Sequence, residues 1–179
     1  MSLFLATLVT GLVLIAWGLP VVRGGEGVRA KSFELPRSKA AACVLFGAAA
    51  LWFLYRVSQL GQADFGDWKL ILLAIFGATA VGAFVYTPDF LAVRGLAGLI
   101  LLAAGPLLGA AYMKYDEPQR LLMVSIVYVL IIVAMFLGTM PYLMRNWMEW
   151  LWAKPGRIKI FGGAFVAYGA LLVATSFTY

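Results

Sequence analysis

The sequence predicts an all-α integral membrane protein with about six transmembrane helices. Of its 179 residues, 64% are hydrophobic and 12% are charged, whereas soluble domains contain about one half apolar and about one quarter charged residues. The apolar residues form runs of about 20, the length that a helix needs to cross about 30 Å of hydrocarbon. Six such runs use most of the chain, so we expect one transmembrane domain over residues 1–179.

The predicted spans are long apolar runs separated by segments that contain charged residues, glycine or proline. The predicted spans are 3–22, 40–60, 68–87, 90–112, 121–143 and 158–179. No basic residue precedes the first run, which is longer than a signal-peptide core, so we favour an uncleaved helix over a signal peptide. Gly105 and Pro106 predict a kink in the fourth span, because proline lacks a backbone donor and clashes with the preceding turn.

The two longest connections have different compositions. Residues 23–39 contain Gly24, Gly25 and Gly27, which predict an irregular loop, and they lack the strand context and lysine of a phosphate-binding loop. Tryptophans lie beside charged residues in the connection before the last span. This mixture is typical of a short helix at the level of the lipid headgroups.

The predicted interfacial anchor consists of one arginine and three tryptophans. It comprises Arg145, Trp147, Trp150 and Trp152. Arg145 and Glu149 also have the spacing of a helical ion pair, which contributes only about 0.2–0.5 kcal/mol.

The distribution of basic residues predicts the orientation of the chain. The odd-numbered connections and their flanks hold ten lysines and arginines, and the even-numbered ones hold four. Basic loops face the cytoplasm, so we expect both termini outside and the chain in a bacterial inner membrane. A nucleic-acid partner is not expected, because no basic-aromatic stretch lies outside the apolar zone.

The residue types argue against an enzyme. The chain has no histidine and one cysteine, Cys43, so the commonest general base and metal ligand is missing. Cys43 lies in an apolar run and is expected to be a small buried packing residue. We predict no catalytic, cofactor-binding or metal-binding residue and no cofactor.

Three charged residues near the span ends are candidates for a polar pathway or for contacts with lipid headgroups. They are Arg56, Asp89 and Arg94. A charge in hydrocarbon costs at least about 2.5 kcal/mol, so such residues invite a functional hypothesis. The structural alternative is that Asp89 caps the fourth span and that Arg94 pairs with Asp89 or extends to the headgroups.

Small residues at four-residue spacing suggest close helix packing. The pairs and triplets are Ala74/Ala78/Gly82, Gly105/Gly109 and Gly163/Ala167. Such stripes let helix backbones approach, either within one chain or with a partner. A proline followed by an arginine at each odd turn also raises the hypothesis of three helical hairpins of common descent.

The sequence leaves three functions open. The first is an accessory or scaffolding component of a membrane assembly, whose partners are the lipid bilayer and either other membrane subunits or further copies of the chain. The second is a small transporter or channel with a cytoplasmic Asp89/Arg94 entrance. The third is an enzyme acting on lipid, which usually gathers histidines or acidic motifs that this sequence lacks.

Overall fold

The computed structural model describes residues 1–86 and 89–179, which form helices and turns with no strand in those two ranges. The α-helices of the described ranges are α1 (Leu3–Arg23), α2 (Glu26–Glu34), α3 (Lys39–Ser58), α4 (Lys69–Tyr86), α5 (Leu91–Ala111), α6 (Arg120–Thr139), α7 (Tyr142–Trp152) and α8 (Pro155–Ser176). Short 3-10 turns lie at Leu35–Arg37, Gln62–Asp64 and Gly66–Trp68. Six helices, all except α2 and α7, are long and apolar enough to cross a membrane. The prediction of six long apolar helices is confirmed.

Polar residues and glycine set several of the helix ends. The Ser2 hydroxyl accepts a hydrogen bond from the Leu5 amide at 3.3 Å, and the Ser38 hydroxyl accepts one from Ala41 at 3.2 Å. These serines satisfy backbone donors that have no partner within the first turn. Gly24 ends α1 with φ 54, a conformation that glycine adopts without steric cost.

The prediction of an irregular loop over 23–39 is wrong, because α2 occupies Glu26–Glu34. Gly24 and Gly25 do interrupt the chain between α1 and α2. Beyond them, only Gly27 disfavours helix within EGVRAKSFE, while alanine, arginine, lysine and glutamate favour it. The three clustered glycines therefore mark a helix boundary and not a loop of this length.

The predicted fifth span, 121–143, is too long at its end. α6 ends at Thr139, and α7 begins at Tyr142 after Pro141. Proline has no amide donor and opposes helix at the residue before it, so one apolar run is divided into two helices. The predicted short helix before the last span is present as α7.

The remaining spans agree with the observed helices to within three residues at the ends that the structure describes. α8 begins at Pro155, three residues before the predicted start, because proline is well suited to the first turn of a helix. The predicted third span ends at Thr87, and Thr87 and Pro88 lie outside the described residues. α5 runs through Pro106 as one helix.

Contacts divide the chain into two compact units. Unit 1 comprises Met1–Phe33, Ala103–Val133 and Arg145–Tyr179, and unit 2 comprises Glu34–Leu102 and Ala134–Met144. Within unit 1, α1 packs along α8, and Ala6, Thr7 and Leu172 are fully buried. Both helices can therefore form one extensive apolar interface.

Glycines seven residues apart allow α1 and α8 to pack closely. A Cβ on Gly11 would lie 2.7 Å from the carbonyl oxygen of Gly169, and a Cβ on Gly162 would lie 2.7 Å from the amide nitrogen of Val22. A Cβ on Gly18 would likewise lie 2.9 Å from the carbonyl oxygen of Gly162. The contacting residues run in opposite order along the chain, so α1 and α8 are antiparallel. The contacts leave no room for a side chain at the glycines.

The small residues singled out in the sequence are not the ones that pack most closely. Among the described residues, a Cβ added at Gly105, Gly109 or Gly163 would meet nothing within 4 Å, and one at Gly82 would meet only Tyr86 of its own helix. The expected stripes are thus unoccupied within each unit. The prediction from small residues four positions apart did not identify the glycines of α1 and α8, which are seven positions apart.

Hydrogen bonds fix the rest of unit 1. The Tyr168 hydroxyl donates to the carbonyl oxygen of Leu122 at 2.8 Å, which links α8 to α6. The Arg120 guanidinium donates to the Ala111 carbonyl oxygen at 3.1 Å and lies 4.7 Å from the centre of the Tyr115 ring. The turn between α5 and α6 is therefore anchored at both of its ends.

Unit 2 contains α3, α4, the first half of α5, the end of α6 and the start of α7. Ala42, Leu91 and Ala92 form its buried centre. Cys43 is exposed, so the expectation that it packs inside is wrong. Its neighbour Ala42 takes the inward position on α3, since adjacent helical residues point in directions about 100° apart.

Candidate functional site

Arg94 is the one exposed residue in the first two turns of α5. Leu91, Ala92 and Val93 are buried before it, and Leu96 and Ala97 are buried after it. An arginine in this position keeps its aliphatic stem against apolar neighbours while its guanidinium remains accessible. Arg94 is therefore an exposed charged residue on an otherwise apolar segment of α5.

Close packing of α5 on α3 places Arg94 beside a groove. A Cβ on Gly95 would overlap the backbone amide of Phe46 and would lie 2.7 Å from the carbonyl carbon of Leu45. One on Gly98 would lie 3.3 Å from the Cβ of Ala49. Glycine is thus required at Gly95, where the two backbones meet.

A largely apolar groove of about 620 Å³ opens between α3, α4 and α5. We call it the Arg94 groove. Its lining residues share small or apolar side chains apart from Thr79 and Arg94, and they are Phe46, Ala49, Ala50, Phe53, Leu54, Phe76, Thr79, Ala80, Ala83, Arg94, Gly98, Leu101 and Leu102. Arg94 is the charged residue among them.

Two aromatic pairs join α3 to α4 near the Arg94 groove. The Phe46 and Phe84 rings are 5.3 Å apart, and the Phe53 and Phe76 rings are 5.0 Å apart, both edge to face. The lining residues of α3 span about eight positions, or about 12 Å along the helix axis. Because Gly95 contacts α3 at Phe46, Arg94 lies at the Phe46 end of this length.

Arg94 and Asp89 do not form an ion pair in the structure. Within residues 1–86 and 89–179, the ion pair present is the one between Arg145 and Glu149. The amides of Val93 and Arg94 donate to the Phe90 carbonyl oxygen, and Phe90 has φ 58. No side-chain hydrogen bond of Asp89 occurs in the same ranges, so the roles proposed for Asp89 stay predictions.

Arg56 lies at the opposite end of α3 from the residues beside Arg94. It is in the last turn of α3 and lines a smaller cavity of about 370 Å³ together with Asp64. Phe53 contributes to this cavity and to the Arg94 groove. The structure therefore separates Arg56 from Arg94 by the length of the groove.

The predicted interfacial anchor lies on α7. Arg145 and Glu149 are 3.4 Å apart, as their spacing predicted, and Trp147 and Trp150 are exposed. The Arg157 guanidinium lies 4.5 Å from the centre of the Trp150 ring and donates to the Trp150 carbonyl oxygen at 3.1 Å. Trp152, at the end of α7, is half-buried.

The sequence predicted Arg94 as a candidate site residue, but it did not predict the groove beside it. The available signal was Arg94 followed by Gly95 and Gly98, which lie on the face that meets α3. Among the described residues, no three histidine, cysteine, aspartate or glutamate side chains are grouped so that they could hold a metal ion. The chain matches no protein-family model, no curated protein and no solved structure at a significant level.

Proposed function

We propose that the chain is a multi-pass membrane protein and a non-catalytic accessory or scaffolding component of a membrane assembly. The observation that carries this proposal is α4, a helix of 18 residues with no buried residue. A helix this apolar is stable in lipid, where its backbone satisfies its own hydrogen bonds. Its open faces are available to helices of another subunit.

One face of α4 has the composition of a helix–helix contact. Ala74 and Ala78 are exposed, and a Cβ at Gly82 would make only an ordinary contact of 3.9 Å, with Tyr86 of the same helix, among the described residues. At 3.6 residues per turn, this stripe lies about 150° from the α4 residues that line the Arg94 groove. Small residues let two backbones approach in lipid, where helices associate through packing contacts. We assign this stripe to a helix of another membrane subunit.

The proposal includes a location and an orientation. The excess of basic residues in the odd connections supports a cytoplasmic position for α2 and α7, with both termini outside. The three tryptophans and Arg145 on α7 suit the headgroup level of the cytoplasmic leaflet. These features favour a bacterial inner membrane.

Copurification tests the proposed assembly. We expect gentle extraction of the tagged full-length chain to yield specific membrane polypeptides, and we expect Ala78→Leu to remove them by blocking close approach. Ala48→Leu is the matched control, because Ala48 is an exposed alanine on α3. Isolation of the wild-type chain alone, or retention of the same partners by Ala78→Leu, would refute the assignment.

The Arg94 groove favours a small transporter as a second candidate. A guanidinium at one end of a groove can attract an anionic solute, as proposed for the Asp89/Arg94 entrance. Vesicles that contain the purified chain should then show anion flux, and Arg94→Ala should abolish it. Flux equal to that of empty vesicles over a broad panel of solutes would exclude this function.

A further inference from the structure

We propose that the Arg94 groove binds one anionic phospholipid, with an acyl chain between α3, α4 and α5 and the phosphate on the Arg94 guanidinium. This inference does not depend on a partner subunit. It concerns a different face of α4 from the small-residue stripe. The lipid would be a bound ligand of unit 2 in addition to the surrounding bilayer.

The shape and lining of the groove suit a hydrocarbon chain. The volume is about 620 Å³, and the walls include the Phe46 ring and the edge-to-face pair Phe53/Phe76. The groove follows the helix axes over about 12 Å, which is the direction of acyl chains in a bilayer crossed by these helices. Thr79, the hydroxyl in the lining, donates to the Ile75 carbonyl oxygen at 2.8 Å. Its donor is therefore used within α4.

Arg94 supplies the charge that selects the headgroup. A guanidinium is planar, always protonated, and forms paired hydrogen bonds with a phosphate. No ion pair or side-chain hydrogen bond occupies it within residues 1–86 and 89–179. The groove lining contains no carboxylate that would repel an anion. An anionic lipid is consequently favoured over a zwitterionic one, whose ammonium group gains nothing at this site.

The depth of Arg94 also suits a lipid phosphate. Arg94 is the fourth residue of α5, which begins at Leu91, so its Cα lies about 5 Å from the start of the helix. The methylenes of an arginine at such a depth let the guanidinium reach the headgroup level. The acyl chain would then extend from Arg94 toward Leu102.

Lipid titration followed by native mass spectrometry tests the site. The full-length protein in detergent is titrated with phosphatidylglycerol and with phosphatidylcholine that carries the same acyl chains. We expect one phosphatidylglycerol to bind about fivefold to tenfold more tightly than phosphatidylcholine, because both phosphates can accept hydrogen bonds from Arg94 but only the choline headgroup carries an ammonium that offsets the phosphate charge. Arg94→Gln should abolish this preference, and Arg94→Lys should keep part of it.

Two further variants separate the apolar part of the site from the charge. Ala80→Phe fills the groove and should weaken the binding of both lipids, whereas Ala48→Phe, on an exposed position of α3, should leave both unchanged. Arg56→Gln removes a charge at the opposite end of α3 and should keep the wild-type preference.

Three results would overturn the proposal. The first is an unchanged lipid preference in Arg94→Gln. The second is wild-type binding of both lipids by Ala80→Phe. The third is displacement of phosphatidylglycerol by millimolar inorganic phosphate, which would make Arg94 a site for free phosphate and would leave the groove without a role.

Discussion

The packing of α1 on α8 predicts opposite outcomes for two adjacent glycines. Gly162→Ala places a Cβ 2.7 Å from the amide nitrogen of Val22, whereas Gly163→Ala places one in open space. An ordinary contact of this kind exceeds about 3.4 Å, so the helices would have to move apart by about 0.7 Å. Backbone atoms cannot yield as the end of a flexible side chain can.

Two opposing effects determine how each substitution changes the free energy of unfolding. Overpacking of a well-fitted interface costs about 1–3 kcal/mol, and replacing a helical glycine with alanine gains about 0.5–1 kcal/mol. Gly162→Ala should therefore lower the free energy of unfolding by up to about 2.5 kcal/mol, and it should be about 1–3 kcal/mol less stable than Gly163→Ala, since both variants gain the alanine contribution. Gly163→Ala should leave it unchanged or raise it by up to about 1 kcal/mol.

Unfolding in mixed micelles of a mild detergent and dodecyl sulfate, followed by tryptophan fluorescence, measures both values. The wild-type chain and the two variants are compared in the same lipid-free detergent. Equal stability of Gly162→Ala and Gly163→Ala would refute the antiparallel contact of α1 and α8. A stabilised Gly162→Ala would refute it even more directly.

Two smaller effects follow from single contacts within unit 1. Tyr168→Phe removes the hydrogen bond to the Leu122 carbonyl oxygen and should cost about 0.6 kcal/mol in the same unfolding assay, the average for such bonds between membrane helices; a loss above about 2 kcal/mol would show that Tyr168 does more than make this bond. Glu149→Ala removes the exposed ion pair with Arg145 and should change the free energy of unfolding by less than about 1 kcal/mol; a larger loss would show that α7 depends on the pair.

Long apolar periods made the helices predictable from the sequence, but their ends depended on local chemistry. Proline divided α6 from α7 at Pro141, although hydropathy continues across it. Between Gly24 and Ser38, helix-forming residues outweighed the single Gly27 and produced α2. Composition predicts short helices and helix ends less well, because residues that favour helix and residues that favour loops lie within a few positions of each other.

The Arg94 groove could not be predicted because it depends on three helices that are distant in sequence. Arg94 was noticeable as a charge near a span end, but the residues facing it on α3 and α4 are ordinary alanines and phenylalanines. The contact between α1 and α8 could not be predicted for the same reason, because Gly11 and Gly169 are in contact although they lie near opposite ends of the sequence. Spacing along one helix does not identify the helix it contacts.

Cysteine accessibility tests most directly whether the connections alternate between the two sides of a membrane, as six crossings require. In a Cys43→Ser background, single cysteines replace Ala30 and Ala153 in the odd connections, and Ala63 and Asp116 in the even connections. A membrane-impermeant maleimide is added to intact cells or spheroplasts. We expect labelling at positions 63 and 116, and labelling at positions 30 and 153 only after the membrane is permeabilised. Labelling of all four positions from the same side would contradict six crossings.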